Sequence, residues 1–295
     1  MPDLKEYIKE KRPSLSSSSI ITYNAILKNL YKKVFGNEDS ELDFKKFDET
    51  DKILEHLKDL PPNKRKTILS ALVIITDDKK YRDLMLNDIK DYNTEIGKQE
   101  KSQTQKDNWV SGEDIKHLWE SLKRNTDLLY KKEHLTSMDL QQIQSFIILS
   151  ILGGIFIAPR RNLDFCLFKI KDVDKTKDNY LDKSTFVFNS YKTAKCYGEQ
   201  KVDCPPVLKL ILNKWIKKNP TNWLLFDSNM NPLSSVKLNQ RINKIFDGKK
   251  VGVNNLRHSY LTEKYGSTIE QKKAIENDMK NMGSSPAMLT NYVKS

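Results

Sequence analysis

Two arginines, a lysine and a tyrosine in the second half of the chain make up a set able to move a phosphoryl group without a metal. Arg161 follows an apolar run and has Asp164 three residues beyond it; across one helical turn such a carboxylate faces the arginine and fixes its guanidinium. Lys192 lies near the tip of a β-type stretch, where its ammonium reaches outward. Arg257 sits in Asn254-Asn255-Leu256-Arg257-His258-Ser259, and Tyr292 stands three residues from the end. The guanidinium groups would hold non-bridging oxygens and offset the charge that grows in the transition state. The lysine would protonate the leaving oxygen. The tyrosine would attack, its ordinary pKa of about 10 lowered by neighbouring cations. The same residues have plainer readings. Arg160 and Arg161 fit a charge pair at a helix C-terminus, Lys195 competes with Lys192 for the proton donor's place, and Tyr292 alone reads as packing. Its company makes Tyr292 a nucleophile.

Composition points the same way. The chain has 295 residues, a net charge of +12 and 51 basic residues, only eight of them arginine. Such a balance favours a polyanion, nucleic acid before an anionic membrane surface. Scarce arginines matter as bidentate phosphate ligands, a geometry lysine does not reproduce. Cys166, Cys196 and Cys204 have no metal-ligand spacing and are odd in number, which predicts a reducing, intracellular setting with no disulfide, zinc or other metal. The start does not read as a signal peptide, and the longest apolar run, Phe146 to Ala158, is too short to span a bilayer. No membrane role is expected.

Periodicity sets out the elements that would position these residues. Residues 3 to about 93 read as short helices: one carrying Leu4 and Ile8, one capped in the run Ser16 to Ser19, one over Asp51 to Leu60, and one capped by Asn63. The last carries Lys64, Arg65 and Lys66 in its first turn, where cations oppose the helix dipole unless a phosphate sits nearby. Residues 94–108 have linker composition. They divide a small N-terminal domain, 1–93, from a larger one, 109–295. The second opens with Ser111 and Asp114 capping a helix, continues with an apolar helix over Leu140 to Ile157, and then carries a β-hairpin from Thr185 to Val202. Val207 to Lys217, Ser234 to Phe246, Asn254 to Tyr265 and Ile269 to Met282 read as helices. A final helix starts after Met282-Gly283-Ser284, with Ser285 as cap and Pro286 at its first position.

The order Arg161…Lys192…Arg257…Tyr292, with the motifs Arg161-Asn162-Leu163-Asp164, Tyr191-Lys192-Thr193, Leu256-Arg257-His258-Ser259 and Met282-Gly283-Ser284-Ser285, resembles the tyrosine recombinase (phage-type integrase) superfamily. The Pro159-Arg160-Arg161 variant is similar to that of integrases from large DNA viruses and their parasites. The resemblance covers essentially the whole chain. It implies a mainly α fold, with a small helical DNA-binding domain and a mostly helical catalytic domain containing a small β-hairpin or sheet. It also implies double-stranded DNA as partner, no nucleotide cofactor, a 3′-phosphotyrosyl intermediate at Tyr292 with a free 5′-hydroxyl, and four protomers on two duplexes. Lys64, Arg65, Lys66, Arg160 and Lys195 are the expected DNA contacts.

Two positions depart from the family pattern. Asn254 and Ser284 stand where the family usually has a histidine, and a histidine or tryptophan. Each can donate a hydrogen bond to phosphate, but neither exchanges a proton near neutral pH. Two other readings stay open beside the recombinase: a type IB topoisomerase, which resembles the same chemistry, and a DNA-binding protein of this fold with impaired catalysis.

Overall fold

The computed structural model describes residues 3–36 and 42–293. The chain forms two compact units, Met1–Lys101 and Ser102–Ser295. It is mainly helical, with one small three-stranded antiparallel sheet.

In the first unit α1 (Leu4–Lys11), α2 (Ser17–Phe35), α3 (Thr50–Leu57), α4 (Pro62–Thr76) and α5 (Lys79–Gly97) surround a core that includes Leu4, Ile8, Leu27, Phe47, Ile53, Leu57, Leu69 and Leu72. Ser16 caps α2 by accepting from the Ser19 N–H at 3.2 Å. α4 is not capped by Asn63, as periodicity predicts. Pro61 is the flanking residue and Pro62 takes the first helical position, where a missing N–H costs nothing, so Asn63 falls inside the first turn. The expected linker 94–108 contains the end of α5 and a five-residue helix, α6 (Gln103–Asp107), closed by a Ser102–Gln105 capping box.

In the second unit α7 (Gly112–Leu129) starts with the reciprocal Ser111–Asp114 box that its sequence predicts. α8 (Ser137–Leu152) starts with a similar Thr136–Asp139 box and runs through the core, burying Ile143, Ile147, Ile148 and Ile151. It stops at Leu152 rather than Ile157. Gly154 turns the chain with φ +78°, and a Cβ there would lie 2.8 Å from Cδ2 of Tyr260, so glycine both reverses the backbone and admits the ring. After a short helix, α9 (Leu163–Cys166), come β1 (Tyr180–Asp182) and β2 (Thr185–Phe188). The one-turn α10 (Ala194–Tyr197) leads into β3 (Gln200–Asp203). The sheet order is β1-β2-β3, with Tyr180 opposite Val187 and Phe188 opposite Gln200. Phe186 and Phe188 pack with Phe165 and Phe168, which fastens the sheet to α9.

α11 (Pro206–Lys218), α12 (Ser235–Ile245) and α13 (Val253–Asn281) follow. α13 is one continuous helix of 29 residues where the sequence suggests two. It ends at Gly283, whose φ of +71° lets the Ser284 N–H bond back to the Met279 carbonyl at 2.8 Å. A 3-10 turn (Pro286–Met288), with Ser285 as its cap, and the four-residue α14 (Leu289–Tyr292) replace the single final helix expected.

Candidate functional site

Arg160 is the arginine that Asp164 holds. Its Nε donates to Asp164 Oδ2 at 2.9 Å and its Nη1 to Gln200 Oε1 at 2.8 Å. Its guanidinium carbon lies 3.9 Å from the Phe188 ring centroid and 5.1 Å from that of Tyr191, within cation–π range. The sequence-based pairing of Asp164 with Arg161 is therefore corrected. The i+3 turn does form, the Asp164 N–H bonding to the Arg161 carbonyl at 3.1 Å, but it is the guanidinium of Arg160, at i+4 spacing, that reaches the carboxylate. Asp164 is 2% exposed, and burial pushes its carboxyl up against the opposing pull of Arg160 and then Arg161. Arg161 is half-buried and, among the described residues, makes no side-chain hydrogen bond or ion pair. Its donors are available to an oxyanion.

Lys192 and Lys195 are both exposed on the connection between β2 and β3, Lys195 within α10. The root of that connection is tied down. Tyr191 Oη donates to the Gly198 carbonyl at 2.7 Å, and Arg160 bridges from α9's approach to Gln200 on β3. Asn179 lies at the same root. Its Nδ2 donates to the Asp164 carbonyl at 2.9 Å and the Ser190 carbonyl at 2.7 Å, while its Oδ1 accepts from the Asn189 and Ser190 N–H groups at 2.9 and 2.8 Å. Sequence does not single out Asn179 or Gln200, and Tyr191 enters there only as the motif neighbour of Lys192. A single asparagine or glutamine has no periodic signal. Only the fold shows which backbone groups it meets.

Arg257 and Asn254 share one face at the start of α13, with Arg257 Nη1 3.5 Å from Asn254 Oδ1, a long contact that leaves the guanidinium free to turn. His258 is exposed, and Ser259 is buried, its Oγ donating to the Val110 carbonyl. Tyr260, one turn on from Arg257, packs against Gly154, so this end of α13 lies beside the segment that leads to Arg160 and Arg161. Ser284 is partly buried at the far end of α13. Tyr292 is the last residue of α14, and its side chain lies outside the described part of the structure. From Arg257 to the end of α13 at Asn281 is about 36 Å along the helix axis, at 1.5 Å per residue. The chain brings together Arg160, Asp164 and the root of the Lys192 loop.

In the N-terminal unit the three expected cations differ. Arg65 is engaged internally, with Nε and Nη2 forming a two-pronged pair with buried Asp88 at 2.9 and 2.7 Å and Nη1 donating to the Lys58 carbonyl at 2.9 Å. Lys66 lies over the Tyr92 ring. Lys64 is exposed. Among the described residues no group of three His, Cys, Asp or Glu side chains is placed to share a metal ion, and no helix is long and apolar enough to cross a membrane.

No protein-family model and no curated protein matches the chain. Solved structures are similar to it at low identity. A crystal structure of XerA recombinase is 15% identical, with 88% of this chain and 82% of that one covered at a TM-score of 0.37. A lambda integrase dimer bound to a COC' core site is 12% identical over 93% of this chain and 71% of that one, with a TM-score of 0.45. XerH site-specific recombinase bound to palindromic difH substrate, in a post-cleavage complex, is 15% identical over 89% of this chain and 83% of that one, at 0.41.

Proposed function

We propose that the protein is a site-specific DNA recombinase that cuts and rejoins strands through a phosphotyrosyl intermediate. The supporting observation is the division of labour between two adjacent arginines. Arg160 is used up in holding the fold, while Arg161 beside it makes no side-chain hydrogen bond or ion pair among the described residues and keeps its donors for a scissile phosphate. Arg257 would take the other non-bridging oxygen, with Asn254 donating a further hydrogen bond. Tyr292 Oη would form a bond to phosphorus as its phenolic proton leaves to water. The bond from phosphorus to the 5′ oxygen would break, and Lys192 would give that oxygen a proton. A 5′-hydroxyl from a second duplex would reverse the step, so one phosphoester replaces another with no nucleotide cofactor. The net charge of +12 suits a duplex, and two duplexes would call for four protomers.

The test is a pool of nicked suicide duplexes, run on a denaturing gel and followed by sequencing of the trapped DNA. The wild-type protein should form a covalent adduct, and Tyr292→Phe should bind DNA and form none. An adduct with Tyr292→Phe would sink the assignment. DNA binding without any wild-type adduct would favour the impaired DNA-binding reading that Asn254 and Ser284 raise.

A further inference from the structure

We infer that Asn179 is a positioning residue: its side-chain amide sets the loop that carries Lys192 in register with the segment that carries Arg161. The inference rests on the reading of Lys192 as the group that protonates the leaving oxygen.

Asn179 is 5% exposed and precedes β1. A side-chain amide has two donor hydrogens and two acceptor lone pairs. All four are used, and all on backbone groups of two other segments. One donor goes to the Asp164 carbonyl in α9, three residues beyond Arg161. The other three bonds go to Asn189 and Ser190, which lead directly into Tyr191 and Lys192. The main chain of Asn179 is fixed too, its carbonyl accepting from the Lys169 N–H at 2.8 Å. Asn189 adds its own clasp, its Nδ2 donating to the Lys175 and Asp178 carbonyls at 2.9 Å each.

The loop beyond this root is exposed, and Lys192 has no side-chain partner among the described residues. Its ammonium is thus placed by the backbone that carries it, the root held by Asn179 and the turn closed by the Ala194 N–H on the Tyr191 carbonyl, and by no side-chain partner of its own. A proton donor misplaced by about 1 Å can cost up to roughly 10²-fold in rate. An amide filled on all four sides specifies a position more tightly than hydrophobic contact does, because each bond has a direction.

The experiment compares two nicked suicide duplexes of one sequence taken from the trapped pool. One has an ordinary scissile phosphodiester and the other a 5′-bridging sulfur, which leaves as a thiolate and needs no proton. Asn179→Ala should slow the ordinary substrate by roughly 10- to 100-fold while the sulfur substrate is cut at close to the wild-type rate. Lys192→Ala should shift that ratio the same way, and the double variant should shift it no further than Lys192→Ala. A merely structural role would lower the active fraction and scale both substrates alike, leaving the ratio at its wild-type value and overturning the inference. Should Asn179→Ala not fold, backbone hydrogen exchange in the wild-type protein decides. The Asn189 and Ser190 amides should exchange more slowly than those of Lys192 and Thr193, and equal rates would overturn the inference. Failure of the wild-type protein to trap any duplex from the pool would take down the recombinase reading itself. An adduct with an unshifted Asn179→Ala ratio would take down the inference alone.

Discussion

Asp164 gives Oδ2 to Arg160 at 2.9 Å and keeps Oδ1 buried with no hydrogen-bond partner among the described residues. The pair ties α9 to the sheet, and the neighbouring Arg161 makes no side-chain hydrogen bond or ion pair among the described residues. Arg160→Ala strands a buried carboxylate, so it should cost roughly 3–5 kcal/mol of stability, read as a lower midpoint in urea unfolding. Arg161→Ala should change stability by no more than about 0.5 kcal/mol yet abolish the covalent adduct. The reverse pattern would mean that the two arginines have been assigned each other's roles.

Acid should loosen the start of α8 through Asp139. The Lys132 ammonium and then the Thr136 N–H hold its carboxyl down at about 2, against an ordinary value of 3.8. A depressed carboxylate pKa adds stability that is fully present above the unfolded value and is lost as pH falls towards the folded one. Asp139→Asn should therefore be less stable than wild type above about pH 4, and the gap should close as pH falls towards about 2. Unfolding curves that stay a constant distance apart across that window would rule out this linkage.

Salt should separate the two neighbouring cations of α4. DNA affinity should fall steeply with salt, and Lys64→Ala should make the log–log slope shallower by about 1 if that lysine meets a phosphate. Arg65→Ala should instead unpair Asp88, which is 1% exposed, and destabilise the N-terminal unit. A slope change with Arg65→Ala in a protein of unchanged stability would place Arg65 on the DNA after all.

Asn254→His restores a proton-exchanging group one turn before Arg257. Cleavage should accelerate most near neutral pH, by no more than the roughly 10²–10⁴-fold that general acid–base help supplies. The rate of adduct formation across a pH series measures it. An unchanged rate at every pH would show that proton transfer at this position does not limit the step.

What could be read from the sequence divides along physical lines. The Ser111–Asp114 cap and the helical faces of Leu4, Ile8 and Leu27 were legible because caps and periodicity are local. β1 was not, since three residues are too few to show alternation. The continuity of α13 was missed because Gly266, Ser267 and Thr268 are weak helix formers, yet the helix runs through them. The Asp164 pairing goes to Arg160 rather than Arg161 because i+3 and i+4 spacings share one face, and spacing does not say which of two adjacent arginines turns inward. Asn179 carried no signal at all, because its role lies in backbone groups brought to it by two distant segments.

The 29-residue length of α13 bears on when such a protein could act. On the recombinase reading, that one helix has Arg257 in its second turn and, past its far end, the segment that bears Tyr292. A bend at Gly266-Ser267-Thr268, the weakest helix formers along it, would then alter the spacing between two parts of the same chemistry.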